Sequence, residues 1–290
     1  MDPHLLRTFA AVARLGSFSA AADELGYTQS AVSQQIAALE QDVGAPLLRR
    51  RPVALTDAGA RLLEHTGPIL LRLAAARADV ARLSGPPPAA VVLGATPLAR
   101  LDPGRLVEVQ RAMPRVAFTV RVGGRAEIAT GVATGRLDLG LVDGVTAPSD
   151  PLALPDTGQL DATAVAEGPV VVALPAGHPL AGRRGVSLAD LADAVWLDAP
   201  EAATPPAQLR AFVRGDGFRG GLAYPGTDTG VLLALVAAGA GLALLPAAAL
   251  TPALRGVPVV APRLVHRTEL VHGSLTAPAA ALAAALTTRS

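Results

Sequence analysis

Near the amino terminus the apolar positions recur at helical spacing. Leu5, Leu6, Phe9, Val12 and Ala13 share one face, and Gly16 follows as a left-handed stop. Ser19 can cap a short second helix whose inner residues are Ala20, Ala21 and Leu25, and Gly26 supplies the next turn. Thr28 can cap a third helix, on which Val32, Ile36, Leu39 and Val43 form a single apolar stripe. The stretch SFSAAADELGYTQSAVSQQIAAL, Ser17 to Leu39, therefore predicts two helices joined by a glycine-containing turn.

Off the stripe lie Gln29, Ser30, Ser33 and Gln34, short amides and hydroxyls where a solvated helix usually carries Lys, Glu or Arg for their helix propensity. Such side chains donate and accept at base edges, so the expectation is a helix-turn-helix whose second helix, opened by Thr28, reads the major groove.

After Gly44, APLLRRRPVALT predicts a compact turn and a short extended piece, a wing that sets Arg49, Arg50 and Arg51 beside the phosphates. Thr56 and Asp57 can start a longer helix. Along it Leu62, Thr66, Ile69, Leu73, Ala76, Val80 and Leu83 alternate in steps of four and three, which predicts a dimer seam through Leu62, Ile69, Leu73 and Val80. Pro68, preceded by Gly67, is expected to kink or divide this helix, and GPPP at Gly85 to Pro88 to end it in a stiff linker.

Beyond the linker, strand and helix patterns alternate. AVVLGA, a helix around Leu106 to Arg111, AFTVRV, a helix around Ala126 to Thr134 and LDLGLV predict an α/β lobe with a parallel sheet. GPVVVALP, LADLADAVWL, a helix near Gln208 to Val213 and GLALLP predict a second lobe, with a cleft between the two. The most apolar run, Val231 to Leu250, is interrupted by Gly239, Gly241 and Pro246 and reads as helix, turn and strand, not as a membrane span.

Composition narrows the function. The 290 residues, 51% of them hydrophobic, suffice for more than one domain. Without cysteine there is no disulfide framework, thiol nucleophile or thiolate zinc site. The start lacks the basic head and cleavage site of a signal peptide, so no export is implied. Net charge is +1, so a nucleic-acid surface has to be local, and the arginine triplet supplies it. At GATPL a strand ends at Ala95, where Thr96 can cap and Pro97 open a helix; either Thr96 merely caps that helix or its free N–H groups hold a carboxylate or other polar anion, and both can hold at once.

The run FAAVARLGSFSAAADELGYTQSAVSQQIAALEQDVGAPLL with the following LTDAG resembles the LysR-type transcriptional regulators, and GRLDLGLVDG, GHPLA and LVAAGAGLALLP echo that family's effector domain. The resemblance implies an N-terminal winged helix-turn-helix over 1–58, and a linker and dimerisation helix with a proline-rich hinge over 59–88. A two-lobed α/β domain similar to periplasmic binding proteins follows over 89–290, with lobe I at about 89–161 and 266–290 and lobe II at about 162–265.

The resemblance also implies a cytoplasmic homodimer or homotetramer acting on double-stranded promoter DNA, modulated by a small-molecule effector, and meeting RNA polymerase if it activates. No cofactor, metal, membrane or enzymatic activity is implied. By the same resemblance the cleft is lined by Thr96, Pro97, Gly124 and Arg125 from one lobe and Pro200, Glu201, Thr227, Asp228 and Thr229 from the other. Arg125 and Glu201 bring opposite charges to it, which favours a polar or zwitterionic effector that bridges Thr96 and Thr227. The chain departs from the family in a shorter wing, in Leu48 where phenylalanine is common, and in Pro68.

Two other classes fit a two-lobed α/β chain. An enzyme would need site residues, but the histidines are only His4, His65, His178, His266 and His272, without metal spacing, nucleophile elbow or phosphate loop. His178 in GHPLA is expected to pack or cap beside a turn. The other class is a solute-binding protein that senses a small molecule without touching DNA.

Overall fold

The computed structural model describes residues 1–84, 90–154 and 160–288. These fall into two units, one over residues 1–77 and one from Ala78 onward. The GPPP linker lies outside the described residues, as does the side chain of Leu83.

In the first unit Asp2 caps α1 (Pro3–Leu15), accepting from His4 N at 2.8 Å, and Gly16 ends the helix at φ 60°. The cap of α2 (Phe18–Leu25) is Ser17, not Ser19. The left-handed turn at Gly16 leaves Ser17 already extended, with its hydroxyl accepting from Ala20 N at 3.2 Å. Thr28 caps α3 (Gln29–Val43) as expected, accepting from Ala31 N at 3.2 Å. Leu6, Phe9, Val12, Ala21, Val32, Ile36 and Leu39 form the core of the three helices. The stripe on α3 stops at Leu39. Val43, the last residue of α3, is 38% exposed.

β1 (Leu48–Arg50) and β2 (Val53–Leu55) pair antiparallel as a short wing. Glu40, from α3, fixes its start by accepting from Leu47 N at 2.8 Å and Leu48 N at 3.2 Å. In α4 (Asp57–Ser84), Thr56 accepts from Gly59 N at 3.0 Å. Gly59 is required: a Cβ there would lie 2.0 Å from the carbonyl oxygen of Leu47.

Pro68 does not divide α4, which is continuous over Asp57–Ser84. Its missing N–H and ring clash cost about 3 kcal/mol. Packing of Leu62, Leu63 and Leu70 on the core offsets this on both sides of the proline. Leu62 thus serves its own unit's core. Of the other seam positions, Leu73 is half-buried, Ile69 is 37% exposed and Val80 is 65% exposed.

The second unit holds one eight-stranded sheet. Its elements are β3 (Ala90–Ala95), α5 (Pro103–Ala112), β4 (Ala117–Val122), α6 (Arg125–Ala133), β5 (Leu139–Thr146), β6 (Asp161–Pro175), β7 (Val186–Ser187), β8 (Val195–Asp198), α7 (Pro206–Val213), β9 (Arg219–Ala223), α8 (Thr229–Ala237), β10 (Ala243–Pro246), β11 (Leu254–Ala261), β12 (Val265–His272) and α9 (Ala277–Thr287).

The sheet runs β4-β3-β5-β12-β6-β11-β7, with β10 also on β6, and β8 and β9 pair separately. It is mixed, which corrects the parallel sheet expected from the alternation. β3 pairs parallel with β4 and β5, but β12 is antiparallel to β5 and β6, and β6 is antiparallel to β10 and β11. The cause is β6. Its first part pairs with β12 and its last six residues with β10 and β11, so one strand threads both lobes.

One lobe packs Leu93, Leu139, Leu141 and Leu270 of the sheet against Val109 of α5 and Leu282 of α9. The other packs around Trp196 and Phe218, whose rings lie 5.7 Å apart. The run Val231 to Leu250 forms α8, a turn at Gly239 (φ 82°) and buried β10. Among the described residues no helix is long and apolar enough to cross a membrane. His178 caps a turn, accepting at Nδ1 from Leu180 N at 3.2 Å.

Candidate nucleic-acid interface and ligand cleft

Helix α3 presents the predicted polar residues. Gln29, Ser30 and Gln34 are exposed and Ser33 is half-buried, while Val32 and Ile36 are buried beneath them. Thr28 is exposed too, but its hydroxyl is engaged with Ala31 N and, at 3.0 Å, with the Ser30 hydroxyl. Gln35 belongs to the fold: its Oε1 accepts from Thr8, a buried threonine of α1. That bond sets how α3 lies on α1, and so which way its polar face looks. Arg49, Arg50 and Arg51 are exposed on the wing, but Arg50 turns inward and donates to Ser33 Oγ at 3.0 Å.

The cleft of the second unit forms where the strand ends of one lobe meet the turns of the other. Thr96, Arg125, Asp143 and His266 line one side, and Pro200, Glu201, Thr204 and Pro246 the other. Of the residues anticipated for it, Thr96, Arg125, Pro200 and Glu201 are therefore brought together. Gly124 joins them by contact, since its Cα lies against the Glu201 carboxylate.

Thr96 does not cap a helix, contrary to expectation. Pro97 sits in a turn, and the next helix is capped by Asp102, which accepts from Gly104 N at 2.9 Å and is followed by Pro103. Thr96 is drawn into the sheet instead. Its hydroxyl donates to Asp143 Oδ1 and accepts from Asp143 N at 2.9 Å. No open helix start is available there for an anion.

Thr227, Asp228 and Thr229 lie outside the cleft's lining. Asp228 caps α8, its Oδ1 accepting from Gly230 N at 2.7 Å and Val231 N at 3.2 Å, so that helix start already holds a carboxylate. The Tyr224 hydroxyl accepts from Asp228 N at 3.1 Å and ties the turn to itself.

The centre of the cleft is a pair absent from the sequence reading. Asp143 Oδ2 accepts from His266 Nε2 at 2.8 Å, with both side chains almost buried. Arg125 Nε donates to Asp143 O at 2.9 Å. Asp143 stands just past Leu141, where the parallel pairing of β5 with β3 ends, and ligands gather at such strand ends in α/β sheets, a usable signal. His266 carries none, because β12 brings it back from late in the chain. The cavity is about 20 Å³, room for roughly one or two waters.

Residues 3–60 match the family model described as bacterial regulatory helix-turn-helix protein, lysR family, and residues 84–288 match that of the LysR substrate binding domain. The HTH-type transcriptional regulator BudR of Raoultella terrigena is 31% identical over 85% of this chain and 84% of its own length. AlsR of Bacillus subtilis is 29% identical over 86% and 82%.

The chain belongs to the LysR family of transcriptional regulators. It is a DNA-binding regulator with an effector-binding domain. Among solved structures, full-length BenM aligns at 24% identity and TM-score 0.53 over 99% of this chain and 95% of that one. Full-length CbnR complexed with its target DNA aligns at 22% identity and TM-score 0.52, over 99% of each chain. Both likenesses concern the fold. In this LysR-type regulator the first model ends just past Gly59, in the first turn of α4, and the second begins at the last residue of that helix.

Proposed function

We propose that this LysR-type regulator reads its operator with Gln29, Ser30, Ser33 and Gln34, with Thr28 ordering the start of the reading helix and Arg49 and Arg51 on the phosphates. The observation that carries this reading is the exposed face of short polar side chains on α3, directly above the buried Val32 and Ile36. The chain divides into a reading domain over 1–58, a pairing segment over 59–88 and an effector domain over 89–290. Pairing of two chains runs along α4 through Ile69, Leu73 and Val80, with Leu62 shared between seam and core.

The effector site is the cleft at Thr96, Arg125, Glu201 and Thr204, with the Asp143–His266 pair as its floor. A small polar metabolite carrying both an acceptor for Arg125 and a donor for Glu201 suits this lining. The chain works in the cytoplasm on promoter DNA, and meets RNA polymerase if it activates.

Regulation is favoured over catalysis by the order of groups in the cleft. A hydrolytic triad needs its histidine against the nucleophile and its carboxylate behind the histidine. Here Asp143 stands between Thr96 and His266, bonded to both, so His266 Nε2 is engaged by the carboxylate and not by the hydroxyl it would have to deprotonate. Gel-shift titration of the full chain on its own upstream DNA tests the reading. A specific complex whose affinity falls steeply with salt is expected, and equal affinity for unrelated DNA contradicts it.

A further inference from the structure

Arg50 stands apart from its neighbours in the triplet. Its guanidinium lies 5.5 Å from the centre of the Phe18 ring, at the start of α2, while Nη1 donates to Ser33 Oγ on α3 at 3.0 Å. One wing residue thus touches both helices of the helix-turn-helix.

The direction of the Ser33 bond is fixed by chemistry. A guanidinium has donors only, whereas a serine hydroxyl has one hydrogen and two lone pairs. Ser33 must accept from Arg50, which leaves its hydrogen for another partner. The adjacent cation also polarises the O–H bond and repels the positive end of any second N–H donor. In the major groove, purine N7, guanine O6 and thymine O4 are acceptors, while cytosine offers only its amino donor.

We propose that Arg50 is a positioning residue that fixes the polarity of Ser33, so that Ser33 donates to a base-edge acceptor and selects against cytosine at one position of the operator half-site. The proposal rests on the reading of Ser33 as a base contact. A phosphate-bound Arg50 behaves differently, because it strengthens all sequences alike and adds about one to the magnitude of the salt slope.

The test is affinity selection of the full chain on an operator library randomised base by base, with affinities then measured at several salt concentrations. Arg50→Met keeps an apolar stem over Phe18 but frees both lone pairs of Ser33. It should relax the discrimination against cytosine about tenfold at one position and leave the salt slope unchanged. Ser33→Ala should erase preference at that same position, and the double variant should add nothing further. Arg50→Lys, which keeps a donor and a charge, should retain part of the discrimination and guards against a folding defect in the methionine variant. Uniform loss with a flatter salt slope for Arg50→Met overturns the proposal in favour of a phosphate contact. So does a base preference that depends on Ser33 but not on Arg50. If Ser33→Ala alters no base position, the reading of Ser33 itself is overturned.

Discussion

Across the cleft of the second unit, the Glu201 carboxylate lies so close to Gly124 that a Cβ on the glycine would fall 1.6 Å from Oε2. Gly124 has φ −69°, which any residue adopts, so its role is the close approach and not backbone freedom. The obstructing atom ends a flexible side chain and can move. Gly124→Ala should therefore fold normally and expel the Glu201 carboxylate from its place beside α6. A double-mutant cycle in the melting of the full chain checks this. The cost of Gly124→Ala should vanish in a Glu201→Ala background, and additive costs would mean that the two residues do not oppose one another.

The floor of the cleft should be the less forgiving part. Asp143 accepts from both Thr96 and His266, so Asp143→Ala leaves His266 without its carboxylate and Thr96 with only the Leu141 carbonyl at 3.3 Å. Removing an acceptor that buried donors share costs about 1 to 3 kcal/mol, and Thr96→Val, which removes one hydroxyl, about 1 to 2 kcal/mol. Urea unfolding of the full chain measures both. A loss near zero for Asp143→Ala would show that the network contributes nothing to stability.

At the wing, Gly59→Ala meets an obstacle that cannot swing away, the backbone carbonyl of Leu47 at 2.0 Å from the added carbon. Overpacking of this kind costs about 1 to 3 kcal/mol. The shift should displace β1 from the Glu40 carboxylate and weaken binding to every DNA sequence. Amide exchange of Leu47 and Leu48 in the variant, compared with the native chain, should show lost protection. Unchanged protection would separate Gly59 from the wing.

On α4, the exposure of Ile69 and Val80 beside half-buried Leu73 supports a seam with a second copy. Leu73→Asp places a charge there and should yield monomer by sedimentation, with operator binding lost. Leu62→Ala, at a half-buried position against the core of the first unit, should lower its stability by about 1 to 2 kcal/mol. A Leu73→Asp chain that sediments unchanged would put the seam elsewhere.

What the sequence made legible was local. The glycines at 16, 26 and 44 ended helices where the apolar spacing stopped, Thr28 capped α3, and Gly239 split the apolar run into helix and strand. These features depend on neighbours a few residues away. The cleft was half legible for the opposite reason. Thr96 and Glu201 sat at strand ends, but the Asp143–His266 pair forms only because β12 runs antiparallel between β5 and β6, a pairing no short window announces. The error at Thr96 has the same source. As a cap it had to compete with Asp102–Pro103 for the helix and with Asp143 for its own hydroxyl, and only the second competitor is distant in sequence.

If the polar face of α3 reads bases, Gln34→Ala is the variant that shows it, because Gln34 is exposed on that face. The measurement is the affinity of native and Gln34→Ala chains for the operator, for the operator changed one base pair at a time, and for random DNA. Gln34→Ala should cost about 1 to 3 kcal/mol on the operator. The loss should disappear when one particular base pair is already changed, and random DNA should be bound as before. Equal loss on operator and random DNA would contradict it.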